Sequence, residues 1–60
     1  MWTVIYIASS EEIAETMKSR LSSEGFLVKI RQTRVSKQFE ILVPKGEVRE
    51  VKDVLVSILP

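Results

Sequence analysis

Gly25-Phe26-Leu27-Val28-Lys29-Ile30-Arg31-Gln32-Thr33-Arg34-Val35-Ser36-Lys37-Gln38-Phe39-Glu40-Ile41-Leu42-Val43 is the stretch on which the fold turns. Gly25 is well placed as the left-handed residue that ends a helix, since glycine has no Cβ to clash there. After it the apolar period drops to two. Phe26, Val28 and Ile30 share one face of a strand over 26–34; Lys29, Arg31 and Thr33 take the other, with Leu27 at its start. A second strand over about 38–43 sets Phe39, Ile41 and Val43 inward and Glu40 and Leu42 outward. Such alternation suits strands with one face on a core and one in water. The turn near Val35 and Ser36 lacks the Gly or Asn that a tight two-residue hairpin wants, so a looser turn of about three to five residues is expected. Closure by Arg34 and Lys37 would set Ile30 opposite Ile41, Val28 opposite Val43, and Arg31 opposite Glu40 as a cross-strand ion pair.

Upstream, Trp2-Thr3-Val4-Ile5-Tyr6-Ile7-Ala8 is rich in β-branched and aromatic residues and predicts a first strand. Its apolar residues fall on both parities, as in a strand covered on both faces. Ser9-Ser10-Glu11-Glu12 resembles a capping box with Ser9 as the cap and Glu12 reaching back. The helix that follows, to about Ser23 or Glu24, gathers Ile13, Met17 and Leu21 into one stripe with Ala14 beside them. Downstream, Pro44-Lys45-Gly46 breaks the strand. Val48, Val51, Val54, Leu55, Ile58 and Leu59 then follow the helical period over about 47–59. That helix is rich in valine, so it forms only by packing on a sheet; 54–59 also reads as a fourth strand.

The order β-α-β-β-α predicts one α+β domain over 1–60. Its solution is a split βαβ, half of a ferredoxin-like fold. The sheet order is 1-3-2, with both helices on one face. Strand 2, with its Lys and Arg, suits an edge. Strand 1 is the other edge, and the chain stops where a ferredoxin-like fourth strand would pair with it. A homodimer is therefore expected, through antiparallel pairing of the strand 1 edges or packing of the open sheet faces. Trp2, Val4, Tyr6 and Leu42 are the candidate interface, because Ile5 and Ile7 are the purer core residues.

Composition narrows the function. The 60 residues include no His and no Cys. That removes disulfides, thiolate metal sites and the commonest general base, and no cofactor is expected. A chain this short buries only roughly 60% of its unfolded surface. Small folds usually carry a disulfide, a metal or a partner chain, and here only the partner remains. With no basic segment leading an apolar stretch, and no run long enough to cross a membrane, a cytoplasmic protein with no membrane partner is expected.

Nine Lys and Arg against eight Asp and Glu give a net charge of +1, but unevenly spread. Lys29, Arg31, Arg34 and Lys37 give 27–39 a charge of +4 with no acid, leaving −3 for the rest. As structure, this is an edge strand defended against aggregation. As function, it is an anion or acidic-partner site. Exposed aromatics between the charges would strengthen nucleic-acid binding, and within the segment the aromatics only bound it. Glu11, Glu12 and Glu15 are explained by the first turns of a helix, where its dipole favours acids. No nucleophile–base pair stands out, so no enzyme is expected. The expected function is a regulatory or interaction module for an unknown protein or small ligand. The alternative is a phosphate or nucleic-acid binder using the basic hairpin.

The opening strand, Leu21-x-x-Glu24-Gly25-Phe26, and Phe39-Glu40-Ile41-Leu42-Val43-Pro44 carry a resemblance. They look like a family of very short prokaryotic proteins described as signal-transducing, of unknown function, grouped by fold with PII-like regulators. The resemblance implies the fold and a regulatory role. PII regulators bind nucleotides and signal through a long loop between strands two and three. Here that connection is a short turn without a Gly-rich phosphate loop, so nucleotide sensing of that kind does not carry over. Nor would a decarboxylase label fit. A pyridoxal-phosphate enzyme needs a Schiff-base Lys in a deep pocket, and five mostly surface-patterned Lys in 60 residues offer none.

Overall fold

The computed structural model describes residues 1–34 and 37–58. Along the chain run β1 (Trp2–Ala8), α1 (Glu11–Ser23), β2 (Lys29–Gln32), β3 (Phe39–Pro44), a 3-10 turn (Lys45–Glu47) and α2 (Val48–Ile58). The expected α+β order is present, and the sheet is β1-β3-β2, with β3 antiparallel to both neighbours. α1 lies against all three strands; α2 lies against β1 and α1. Both helices thus cover one face. Ala8, Ala14, Met17, Leu21, Ile41, Val43, Val51 and Leu55 form the core between them and the sheet. Leu59 and the tip of the hairpin at Val35 and Ser36 lie outside the described residues.

Local chemistry sets the element ends. Ser10, not Ser9, caps α1: it is extended, and its Oγ accepts a hydrogen bond from the Ile13 N–H at 3.2 Å. Moving the cap by one residue puts Ile13 in the capping-box position expected for Glu12, so the reciprocal Glu arm is not made. It also leaves Ile13 43% exposed, while Ala14, Met17 and Leu21 form the buried stripe. At the other end Gly25, with φ 93°, sits in the left-handed region. Its N–H donates to the Ser22 carbonyl at 3.0 Å, and the Phe26 N–H donates to the Leu21 carbonyl at 3.2 Å. This pair of bonds is a Schellman motif. It ties Phe26 to the helix end, where it packs on the core that holds Leu21.

That cap also shortens the following strand. β2 begins at Lys29, three residues later than the apolar alternation suggests, and ends at Gln32. Phe26, Val28 and Ile30 still pack on the core, and Leu27 is exposed. The hairpin register is the expected one, with Ile30 opposite Ile41 and Arg31 opposite Glu40. The Thr33 N–H donates to the Gln38 carbonyl at 2.9 Å. Among the described residues this bond lies one residue further from the tip on each side than Arg34 and Lys37, and the kind of turn expected between them falls outside the described residues. α2 is amphipathic, burying Val51 and Leu55 with Val48, Val54 and Ile58 partly buried. Its helical path excludes a strand over 54–58.

Candidate functional site

The helices cover one face of the sheet and leave the other open. Its residues follow from the register. Opposite the core-facing Ile41 and Val43, β3 presents Leu42 and Glu40. Val4 and Lys29 flank Leu42, Ile7 and Arg31 flank Glu40, and Trp2 stands opposite Pro44 at one end.

β1 does not keep one parity along its length. The register shifts between Val4 and Tyr6, a β-bulge. Before it Val4 pairs with Leu42; after it Tyr6 pairs with Ile41 and Ile7 with Glu40. Tyr6 therefore faces the helices, and it packs with Ile5 on the core. Ile7 moves to the open face and is 50% exposed. The expectation that Trp2, Val4 and Tyr6 share a face with Leu42 is corrected at Tyr6, and Ile7 takes its place. Unbroken alternation would have kept the expected set; one extra residue reverses it.

Leu42 is 4% exposed yet lies outside the core cluster. Its cover is on the open face. Trp2 on β1 and Lys29 on β2 meet across β3, with the Lys29 Nζ 5.3 Å from the centre of the indole ring. Leu42 lies in the row between Val4 and Lys29. Such an exposed cation–π contact contributes about 0.5–1 kcal/mol. One row further on, Arg31 grips Glu40: Nε donates to Oε1 at 2.7 Å, and an Nη lies 2.7 Å from the same oxygen. Arg31 keeps 61% of its side-chain surface in water. Arg34 and Lys37 stand exposed at the hairpin end.

The four basic residues are thus not a single cluster. Lys29 is engaged with an aromatic, Arg31 with a carboxylate, and only Arg34 and Lys37 share the turn. Trp2 joins them from the far side of the sheet. A sheet order that puts β3 between β1 and β2 is the only sequence-level signal for that contact, together with the reach of a lysine. Glu11, Glu12 and Glu15 are exposed on the first turns of α1. Glu11 and Glu15 line a shallow groove of about 410 Å³ between α1 and β2, with Lys18 beside them. Among the described residues no three Asp or Glu side chains are placed to hold a metal ion, and no helix is long and apolar enough to cross a membrane. Comparison with known proteins finds no matching family model, no matching curated protein and no matching solved structure.

Proposed function

We propose that this chain is a small non-enzymatic regulatory or interaction module that works as a homodimer joined along β1. The observation that supports it most is the contrast between the sheet's two edges. β2 is four residues long and carries Lys29 and Arg31, devices that discourage stray pairing. β1 is seven residues long and carries no charge at all. Its bulge divides it into 2–4 and 6–8. A two-fold axis near Ile5 would set the first run of one copy antiparallel to the second run of the other.

Area favours this edge over packing of the open faces alone. Three strands about 4.8 Å apart and a seven-residue strand at about 3.3 Å per residue outline roughly 300 Å². A standard interface buries about 800 Å² on each partner. Edge pairing also brings together the α2 helices, which lie against β1, and α2 carries Val56 at 80% exposure. The apolar residues Trp2, Val4 and Ile7 would form a continuous strip across the joint.

Sedimentation equilibrium at micromolar concentration tests it. The wild-type chain should run as a dimer. Val4→Lys, which puts a charge into the strip at a position 38% exposed, should run as a folded monomer by circular dichroism. A wild-type monomer overturns the proposal.

A further inference from the structure

The open face combines features that the sequence keeps apart. Trp2 on β1 meets Lys29 on β2 across the face, and Arg31 follows Lys29 along β2 toward the turn that holds Arg34. We propose that this face binds a short single strand of nucleic acid, with Trp2 as the stacking platform for a base and Lys29, Arg31 and Arg34 as phosphate partners.

Sequence-tolerant binders of single strands combine a positive track for the backbone with an aromatic surface for the bases. Trp2 is 43% exposed and supplies the surface. Lys29 and Arg31 are two residues apart on β2, about 6.6 Å along the strand, so neighbouring phosphates of an extended chain can meet successive cations. The Lys29 ammonium now rests over the indole. An exposed cation–π contact is weaker than stacking of a base on an aromatic ring. A base can therefore take the ring while the ammonium turns to a phosphate. Arg31 gives Nε and one Nη to Glu40, and the guanidinium has further N–H donors for a phosphate oxygen.

Charge selects this occupant over a second copy of the chain. The open face carries Lys29 and Arg31 beside the acid Glu40, and Arg34 and Lys37 stand exposed at its turn end. Two such faces pressed together would oppose like charges, whereas a polyanion complements them. An exposed indole stacks on a base only where that base is free of its own stack, which favours a single strand over a duplex. A dimer joined along β1 leaves this face free, so the two proposals are tested separately.

Trp2 is the only tryptophan, and its fluorescence reports the face directly. The full chain should be titrated with single-stranded oligothymidylate, the matching duplex and inorganic polyphosphate. The single strand should quench Trp2. Its affinity should fall with salt with a log–log slope of roughly −1.4 to −2.8, as for two to four phosphates. Lys29→Met keeps an unbranched aliphatic side chain in the row beside Leu42 while removing the charge, and Arg34→Ala lies in the exposed turn. Each should weaken binding about tenfold, read by anisotropy of a labelled oligonucleotide. Lys52→Ala on α2 should leave it unchanged.

Several results overturn the proposal. One is no quenching and no anisotropy change at low salt. Another is equal quenching by polyphosphate, which leaves a phosphate site only. A third is binding that ignores Lys29→Met and Arg34→Ala. The last is an oligonucleotide affinity that falls as the protein is concentrated, which puts a second copy on the face; pairing along β1 leaves the face free and would not compete.

Discussion

The two glycines divide the roles open to that residue. Gly25 holds φ 93°, and a Cβ built on it meets nothing within 4 Å. Space is not the constraint; backbone conformation is. Gly25→Ala should therefore lose about 1–2 kcal/mol, the cost of placing an L-residue in the left-handed region. Gly46 lies in the 3-10 turn, has no positive φ, and also has open space around its Cβ position. Gly46→Ala should be neutral or stabilise by up to about 1 kcal/mol, by narrowing the unfolded ensemble. Urea unfolding of the two variants checks both signs. The ion pair between Arg31 and Glu40 belongs to the same scale. Its partners are 61% and 20% exposed. Solvent screening limits such pairs to about 1 kcal/mol or less, so its main effect is to aim the guanidinium across the open face.

At the scale of elements, the bulge in β1 decides which side chains meet water. Tyr6 packs on the core and Ile7 does not. Tyr6→Thr should cost about 1–2 kcal/mol, the part of a large side chain's burial that is lost. Ile7→Thr should stay within about 0.5 kcal/mol. Denaturant titrations at concentrations low enough to keep the chain monomeric would separate the two. An unbulged strand would give the opposite ranking. This part of the fold was illegible for a physical reason. Val4, Ile5, Tyr6 and Ile7 are all apolar, so no alternation marks the residue at which parity changes. The hairpin was legible because Lys29, Ile30, Arg31 and Glu40, Ile41 do alternate, and their register follows from that pattern. Ser9 and Ser10 offer the same capping chemistry, and only the position of the buried stripe chooses between them. The short β2 reflects competition: the Schellman cap binds the Phe26 backbone before a strand can begin. The element order was thus readable, and the open face at Trp2, Val4 and Leu42 but not at Tyr6 and Ile7. Trp2 beside Lys29 needed the sheet order in three dimensions.

For the whole molecule, size is the governing term. Native stability runs at about 0.05–0.15 kcal/mol per residue, which puts a chain of this length near 3–9 kcal/mol. Leu21 is fully buried, and removing a buried leucine side chain costs about 2–5 kcal/mol. Leu21→Ala therefore removes a large share of the total or all of it. With no cysteine and no histidine, neither a disulfide nor a His-ligated or thiolate metal site reinforces so small a core. Association along β1 would do so by mass action, and that has a thermal signature. For a dimer that unfolds to two free chains, each tenfold rise in protein concentration stabilises the folded dimer by about 1.4 kcal/mol. Unfolding entropy near 2.1 cal/mol/K per residue, counted over both chains, converts this to about 4–6 °C in Tm. Scanning calorimetry across two decades of concentration should show that rise twice over for the wild-type chain. Val4→Lys should show none, because a monomer's Tm does not depend on concentration. If the wild-type Tm is equally flat, β1 contributes nothing between chains, and the core between the helices and the sheet must stabilise the fold alone.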